Sequence, residues 1–270
     1  RKIPIFHMEA GNRCFDERVP EEVNRRIVDH LSDINLPLSE QARGYLIAEG
    51  IKPETIIKTG SPMLEVLNAN MEKIDSSNIL DIEGLKPQKY FLMSIHREEN
   101  VDSEQNFSNL LEAIDAITRK YNLPVIISTH PRTKKKLNEI GYQKSNKLLR
   151  FSKPFGFHEY NKLQLNALCV ISDSGSITEE ASILNLRAIT IRQAHERPEG
   201  MDEGALIMSG LYKNRIIESI EVICQSFKDN PIKIVNDYNV DNVSKKVVRI
   251  ILSYTNYINR TVWHKEDKIL

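Results

Sequence analysis

Short apolar runs alternate with longer amphipathic stretches along the 270-residue chain. Uncharged runs such as residues 168–171 are typical of strands that are buried on both faces. The longer stretches place apolar residues three and four positions apart, as at Val23, Ile27 and Leu31, which favours amphipathic helices. Strands that alternate with helices are typical of parallel sheets with crossover helices. The pattern therefore predicts an α/β fold.

The same pattern predicts the position of each element. Strands are expected at residues 3–8, 33–38, 55–58, 89–95, 123–129, 147–151, 168–172 and 187–192. Helices are expected at residues 20–31, 39–49, 62–73, 103–121, 132–140, 156–166, 177–185, 214–228 and 241–258. Some helices have clear end signals, since Ser39 can cap the helix that begins at Glu40, and Gly50 lies just beyond its end.

A domain boundary is expected at residues 74–88, where polar residues, glycine and proline mix without a long periodic element. The strand–helix pattern restarts at Tyr90. The region before the boundary has few predicted strands, and the chain enters one of them almost at its first residue. Few strands make a weak sheet. We therefore expect the first domain to be the remainder of a larger one.

Composition disfavours several classes of protein. Lys plus Arg and Asp plus Glu both total 37, so the net charge is zero and gives no reason to expect a nucleic acid or an anionic membrane as partner. Cys14, Cys169 and Cys224 are far apart and lack CxxC spacing, which argues against a disulfide framework or a zinc site and fits a reducing cytoplasm. The apolar runs are too short to span a membrane.

Ionisable side chains follow nearly every predicted strand. Ligands of doubly wound sheets bind outside the carboxyl ends of the strands, so these side chains share one edge. They are Glu9 and Arg13, His96 and Arg97, His130 and Arg132, Asp173, and His195, Glu196, Arg197 and Glu199. Any one of them is equally consistent with an ordinary polar loop, but the set favours a ligand site.

The segment VISDSGSITEEASIL predicts a strand, a turn of small residues and a helix. Gly175 allows a ligand close to the backbone, while Ser174 and Ser176 offer hydroxyl donors. The free N–H groups and the positive dipole end of the following helix suit a diphosphate. Glu180, one helical turn further, can accept hydrogen bonds from a ribose diol. The alternatives are plain N-capping by Ser176 or Asp173 and solvent exposure of Glu180.

Carboxylates are concentrated in a second segment, HMEAGNRCFDERVPEEVNRR. Glu9 ends the first strand, and Glu21 and Glu22 begin a helix after a loop. Two carboxylates from separate elements suit the removal and return of a proton, because their surroundings can move their pKa values apart. Stabilisation of a first helical turn by Glu21 and Glu22 is the alternative, and the spacing does not exclude it.

Six motifs, in order, resemble the non-hydrolysing UDP-N-acetylglucosamine 2-epimerase family. They are HMEAGNRCFD, VPEEVNRRIVDH, KTGSP, HREENVD, SDSGSITEEAS and ERPEGMDEG, and the resemblance runs from Ile3 to about Trp263. The wording HMEAGNRCFD, HREENVD and AHERPEG further resembles the branch that acts on UDP-2-acetamido-2,6-dideoxy-L-hexoses and makes UDP-N-acetyl-L-fucosamine for surface polysaccharides. The family is of the GT-B type, with two Rossmann-like doubly wound domains, and its members are often dimers.

The resemblance implies three domains or segments. Residues 1–75 correspond to the remainder of an N-terminal Rossmann-like domain, residues 76–240 to a UDP-binding Rossmann-like domain, and residues 241–270 to a C-terminal helix and tail that pack back on the first domain. The family also has a Gly-Thr-Arg-Pro-Glu turn and a Gly-Asp-Thr motif ahead of the first strand seen here, and neither occurs in this sequence. We therefore expect the first domain to be truncated and the 270-residue chain alone to be inactive or nearly so.

The resemblance also implies a mechanism: UDP is eliminated to leave a glycal intermediate and then adds back to give the 2-epimer, without metal, nicotinamide or flavin. Glu9 and Glu21 match the active-site carboxylates of the family, and His96 matches its active-site histidine. A GT-B glycosyltransferase and a non-catalytic UDP-sugar-binding module remain the alternatives. The implied protein is a cytoplasmic homodimer.

The residues expected to bind the substrate come from the same motifs. Tyr160 falls where the family places an aromatic ring near uracil, although a helix-face core residue is an equal alternative. His130 matches a regulatory substrate site of some members, which is a weaker transfer. The full set expected to bind the substrate is Arg13, Tyr160, Ser174, Gly175, Ser176, Glu180, Arg192 and Arg197.

Overall fold

A computed structural model of the protein describes residues 2–17, 19–142, 146–194, 196–227 and 233–265. Its strands are parallel and its helices follow them, so the predicted α/β class is confirmed. The chain forms two compact units. The first unit consists of Arg1–Leu67, Ala194–Glu199 and Val235–Leu270, and the second unit consists of Asn68–Gln193 and Gly200–Ile234.

Within its described residues, the first unit contains a two-stranded parallel sheet. The sheet and its helices are β1 (Phe6–Met8), β2 (Ile34–Leu36), α1 (Pro20–Leu31), α2 (Glu40–Ala48), the beginning of α3 (Met63–Asp75), and α12 (Val243–Thr261). Ile34 and Leu36 of β2 are fully buried in a cluster with Val243 and Val247 of α12. The last described helix therefore shares a hydrophobic core with β2.

The second unit contains, among its described residues, a six-stranded parallel sheet in the order β5-β4-β3-β6-β7-β8. The strands are β3 (Phe91–Ile95), β4 (Val125–Thr129), β5 (Leu149–Ser152), β6 (Cys169–Ser172), β7 (Ala188–Thr190) and β8 (Ile207–Met208). The helices are the rest of α3, then α4 (Ile79–Ile82), α5 (Glu98–Val101), α6 (Glu104–Tyr121), α7 (Pro131–Glu139), α8 (Phe157–Asn166), α9 (Ile177–Leu184), α10 (Pro198–Asp202), which begins in the first unit, and α11 (Lys213–Ser226). Two apolar clusters fill this unit, and both draw residues from the central strands β3 and β6.

The strand predicted at 55–58 is wrong. A short 3-10 helix occupies Pro53–Thr55, and only Ile56 bridges β2, at Asn35. Pro53 fixes its own φ and has no N–H to give a sheet, which favours the turn. The prediction also missed β8, α4, α5 and α10, because elements of two to five residues are too short to display a period.

Helix α1 buries charged side chains rather than its apolar stripe. A stripe at this spacing normally faces a core, yet Val23, Ile27 and Leu31 are exposed among the described residues. The helix instead buries two carboxylates, Glu22 and Asp29. Both are held by hydrogen bonds from the loop after β1, which is the compensation that buried carboxylates require.

That loop depends on the close approach of Gly11 to α2. Gly11 has φ +80°, and a Cβ atom built there would lie 2.4 Å from the Ala42 carbonyl oxygen. We expect Gly11→Ala to reduce the free energy of unfolding by about 2–3 kcal/mol, through left-handed strain and overpacking. Urea-induced unfolding measures this loss.

Gly44, in the middle of α2, is the matched control. It has open space where a Cβ would be placed, so Gly44→Ala should raise stability by about 0.5–1 kcal/mol through helix propensity. If Gly11→Ala and Gly44→Ala changed the free energy of unfolding in the same direction, the contact between the loop and α2 would not exist as described.

Candidate active site

The turn of small residues in the second unit lies between β6 and α9. Its two hydroxyls face each other, with 3.0 Å between Ser174 Oγ and Ser176 Oγ. The Ser176 hydroxyl donates to Glu180 Oε1 at 3.0 Å and does not cap α9. Asp173 is also engaged elsewhere, since its carboxylate accepts from the backbone that follows β3. The structure therefore does not support capping of α9 by Ser176 or Asp173.

Glu180 is half-buried one turn into α9. Its second carboxylate oxygen, Oε2, accepts a hydrogen bond of 2.6 Å from Gln164 Nε2 on α8. Ser176 and Gln164 together fix both carboxylate oxygens close to the Ser174–Ser176 turn. The carboxylate of Glu180 is consequently placed by hydrogen bonds rather than left in solvent.

Tyr160 of α8 lies close to the carboxylates of Glu180 and Asp173. Burial is the main cause that raises the pKa of the Tyr160 hydroxyl well above its ordinary value, and the negative charge of Glu180 adds to it. A hydrogen bond with Ser94 lowers the pKa in part. The ring also packs against the apolar cluster on one face of the sheet. Tyr160 is therefore both a partial core residue and a neighbour of Glu180.

His96 follows β3 and is joined to the buried carboxylate of Asp173. The distance from His96 Nδ1 to Asp173 Oδ1 is 2.8 Å. Asp173 also accepts from the backbone N–H groups of His96 and Arg97, and from Asn100 Nδ2 at 3.2 Å. Burial opposes its charged form, but these hydrogen bonds, beginning with that of His96, hold the pKa of Asp173 below its ordinary value.

Glu9 lies in the first unit, directly after β1, in the left-handed region with φ +62°. Its Oε1 atom accepts 2.9 Å from Asn12 Nδ2 and 2.7 Å from Arg197 Nη2. The Arg197 side chain is buried, whereas that of Glu9 is 51% exposed. The carboxylate is therefore oriented from one side by an amide and a guanidinium and is open on the other.

The two acids in the first turn of α1 have different surroundings. Glu22 is fully buried and accepts from the N–H groups of Cys14 (3.0 Å) and Phe15 (3.2 Å) and from Arg26 Nη2 (3.3 Å). Glu21, the one that matches the family motif, is exposed. Glu22 therefore fixes the loop, and Glu21 is the acid that is accessible.

Arg13 is completely buried in the first unit. Its guanidinium makes a fork with Glu49, with distances of 2.7 Å from Nε and 2.6 Å from Nη2, and contacts Asp29 Oδ2 at 2.7 Å. Nη1 donates to the Asn12 carbonyl at 2.8 Å. These contacts assign Arg13 to holding the loop after β1, and a substrate contact for it stays a prediction.

The remaining predicted residues are less informative. Arg192 is buried just after β7. His130 is exposed at the N-cap of α7, where Nδ1 accepts from the Arg132 N–H at 3.4 Å. His195 lies outside the described residues. Among the residues that the structure describes, no group of three His, Cys, Asp or Glu side chains could hold a metal ion, and no helix has the length and apolarity to cross a bilayer.

The sequence-based prediction missed some residues of the site and gave others no role. Asp29, Gln164 and Glu22 each hold a predicted site residue or its loop through a hydrogen bond. Gln164 on α8 is on the same helix as Tyr160, but nothing in the local pattern pointed to it. Asp29 lies within the motif VPEEVNRRIVDH, but its role was not predicted, because its partners Gly11 and Arg13 lie on another element.

Comparison with known proteins gives consistent matches. The family model described as UDP-N-acetylglucosamine 2-epimerase matches residues 1–252. The UDP-N-acetylglucosamine 2-epimerases of Methanocaldococcus jannaschii and Neisseria meningitidis are 35% and 28% identical over 95% and 93% of this chain, and 70% of each relative is covered.

Solved structures agree with these relatives. That of UDP-N-acetylglucosamine 2-epimerase from Rickettsia bellii has a TM-score of 0.92 and 54% identity, covering 98% of this chain and 71% of its own. That of the Methanocaldococcus jannaschii UDP-GlcNAc 2-epimerase, in complex with UDP-GlcNAc and UDP, has a TM-score of 0.85 and 34% identity, covering 93% of this chain and 70% of its own.

Proposed function

The chain belongs to the non-hydrolysing UDP-N-acetylglucosamine 2-epimerase family, and we propose that it inverts C2 of a UDP-N-acetylhexosamine. The observation that carries this proposal is the Ser174–Ser176 turn, which joins β6 to α9 and has Glu180 bonded to it. The Methanocaldococcus jannaschii enzyme was crystallised in complex with both UDP-GlcNAc and UDP, which supports a UDP-sugar as substrate here.

The nucleotide is proposed to bind in the second unit. The diphosphate would accept hydrogen bonds from the N–H groups of the first turn of α9 and from the Ser174 hydroxyl, and Gly175 permits its close approach. The Ser176 hydroxyl would join them by exchanging its donation to Glu180 Oε1 for one to the diphosphate. Glu180 would accept from the ribose diol, and Tyr160 would contact the uracil. Arg192 and Arg197 are the proposed cationic contacts to the anionic substrate.

The proposed reaction is an elimination followed by a readdition. A base takes the C2 proton, the electron pair of that C–H bond forms the C1=C2 double bond, and the C1–O bond breaks with its electrons going to UDP. The products are a glycal and UDP. Because negative charge develops on the departing diphosphate, donors placed in advance at the turn lower the barrier. Protonation at C2 from the opposite face and return of UDP to C1 give the epimer.

Two faces of C2 must exchange protons, so more than one acid–base group is required. We assign these roles to the carboxylates Glu9 and Glu21 and to the imidazole of His96. The open side of the Glu9 carboxylate and the exposure of Glu21 support the assignment, since both groups are accessible to a ligand. Asn12 and Arg197 would orient Glu9 and favour its ionised form.

The preferred substrate is proposed to be a UDP-2-acetamido-2,6-dideoxy-L-hexose, with UDP-N-acetyl-L-fucosamine as the product for a surface polysaccharide. The support is the resemblance of the motifs HMEAGNRCFD, HREENVD and AHERPEG to the family branch that acts on these sugars. The enzyme is proposed to act as a cytoplasmic homodimer. Comparing kcat/KM for the 6-deoxy-L-sugar and for UDP-N-acetylglucosamine tests the substrate, and a higher value for UDP-N-acetylglucosamine would contradict it.

Incubation of the enzyme, as the cell makes it, with UDP-sugar in heavy water tests the reaction. We expect deuterium at C2 of the recovered UDP-sugar without any added acceptor, because each reprotonation takes a solvent-derived proton. No deuterium, together with transfer to an acceptor, would indicate a glycosyltransferase. UDP binding by calorimetry without either reaction would indicate a binding module.

A further inference from the structure

We infer that Asp173 is a positioning residue that sets the tautomer and orientation of His96. The inference rests on the proposed function, because it concerns how the proposed acid–base imidazole is held. Both residues belong to the second unit, although 77 positions separate them along the chain. The motif that contains Asp173 predicts a diphosphate-binding turn and does not by itself suggest that this residue positions His96.

The contacts determine which nitrogen carries the proton. Asp173 is fully buried, and four hydrogen bonds converge on it from the segment that contains His96. An ionised carboxylate only accepts hydrogen bonds, so the 2.8 Å contact requires the proton on His96 Nδ1. The Nε2 atom is then left to exchange protons with a ligand. The His96 side chain is 42% exposed, which gives a ligand access to the ring.

Asp173 also connects His96 to the diphosphate turn. It directly precedes Ser174, and its own N–H donates to the Ser94 carbonyl of β3 at 3.3 Å. Its side chain fixes the imidazole and the backbone N–H groups of His96 and Arg97. A single residue therefore sets the position of the imidazole relative to the turn, and through it relative to a bound diphosphate.

Kinetics of Asp173→Asn in the enzyme as the cell makes it test this role. Asparagine keeps the shape but can also donate, so the tautomer of His96 is no longer imposed. We expect kcat to fall about 100-fold with KM and the calorimetric UDP affinity within about threefold of wild type. A parallel loss of UDP affinity would mean that Asp173 only supports the turn, and would overturn the inference.

A double-mutant cycle separates positioning from a structural role. If Asp173 acts through His96, then Asp173→Asn should cost less than about threefold in kcat when it is added to His96→Ala. Losses that multiply would contradict the inference. The exposed Asp81 of α4 provides the matched control, since Asp81→Asn should leave kcat unchanged in both backgrounds.

Nitrogen NMR of histidine-labelled protein gives a readout that needs no turnover. We expect the wild-type spectrum to place the proton of His96 on Nδ1, and Asp173→Asn to shift the tautomer toward Nε2–H. His158, whose Nε2 contacts Asn70 Oδ1 at 2.9 Å, should be unchanged. A wild-type His96 protonated on Nε2 alone would overturn the inference even if Asp173→Asn did not fold. If the epimerase activity itself were absent, this spectrum would still decide the role of Asp173.

Discussion

Glu9→Gln is expected to lower kcat about 10³-fold, while the affinity for UDP stays within about threefold. Glutamine keeps an acceptor oxygen for Asn12 Nδ2 and Arg197 Nη2, which both bond to Oε1 in the wild type. The local structure should therefore survive. What is lost is the ability to take or return a proton at C2, which a neutral amide cannot supply. Turnover assays and calorimetry with UDP measure the two effects separately.

The matched control is Glu218→Gln on α11, where an exposed carboxylate forms an ion pair with Arg215 one helical turn away. This substitution removes the same charge and should change neither kcat nor UDP affinity. A Glu9→Gln enzyme with normal kcat would show that the ion pair of Glu9 with Arg197 is structural only. A fall in UDP affinity as large as that in kcat would assign Glu9 to binding.

Arg13→Ala is expected to lower the free energy of unfolding by about 3–5 kcal/mol. The substitution removes the guanidinium that pairs with buried Asp29 and the fork to Glu49. Asp29 keeps only its hydrogen bonds with His7 Nδ1 and the Gly11 N–H among its described side-chain contacts. Loss of the paired cation from a buried carboxylate is costly because the interior solvates charge poorly. Urea-induced unfolding of wild type and variant at neutral pH measures the difference.

Arg119→Ala is the control for this experiment. Arg119 is 76% exposed on α6 and pairs with Asp115 one turn away, so its removal should change stability by no more than about 0.5 kcal/mol. A loss below about 1 kcal/mol for Arg13→Ala would show that the Asp29–Arg13–Glu49 cluster is hydrated in solution.

The pH dependence of the same pair has a definite sign. The hydrogen bond from Arg13 holds the pKa of Glu49 below its ordinary 4.5. A carboxylate whose pKa is depressed by folding stabilises the protein above its unfolded value, and this contribution is lost as the pH falls through the folded value. The difference in stability between wild type and Arg13→Ala should therefore narrow below about pH 4.5.

Local sequence was a sound guide where a feature depends on neighbouring residues. The alternation of apolar strands and amphipathic helices predicted the α/β class, and the Asp-Ser-Gly-Ser turn was placed correctly between a strand and a helix. It failed at residues 55–58, where apolar residues were assigned to a strand but Pro53 starts a 3-10 turn. The apolar spacing of α1 correctly predicted a helix, but only the tertiary structure shows that Val23, Ile27 and Leu31 are exposed.

Sequence by itself determined the class of fold, the order of the motifs and the residue types available at the strand ends, because each of these depends only on residues that are adjacent along the chain. Only the tertiary structure decided which of those side chains are buried, paired or open. Arg13 is buried and bonded to Glu49, and Asp173 is bonded to His96. Glu22 is buried and bonded to the loop after β1, whereas Glu21 is exposed. The physical reason is that desolvation and hydrogen bonding of a charge depend on partners far away along the chain, which no local pattern records.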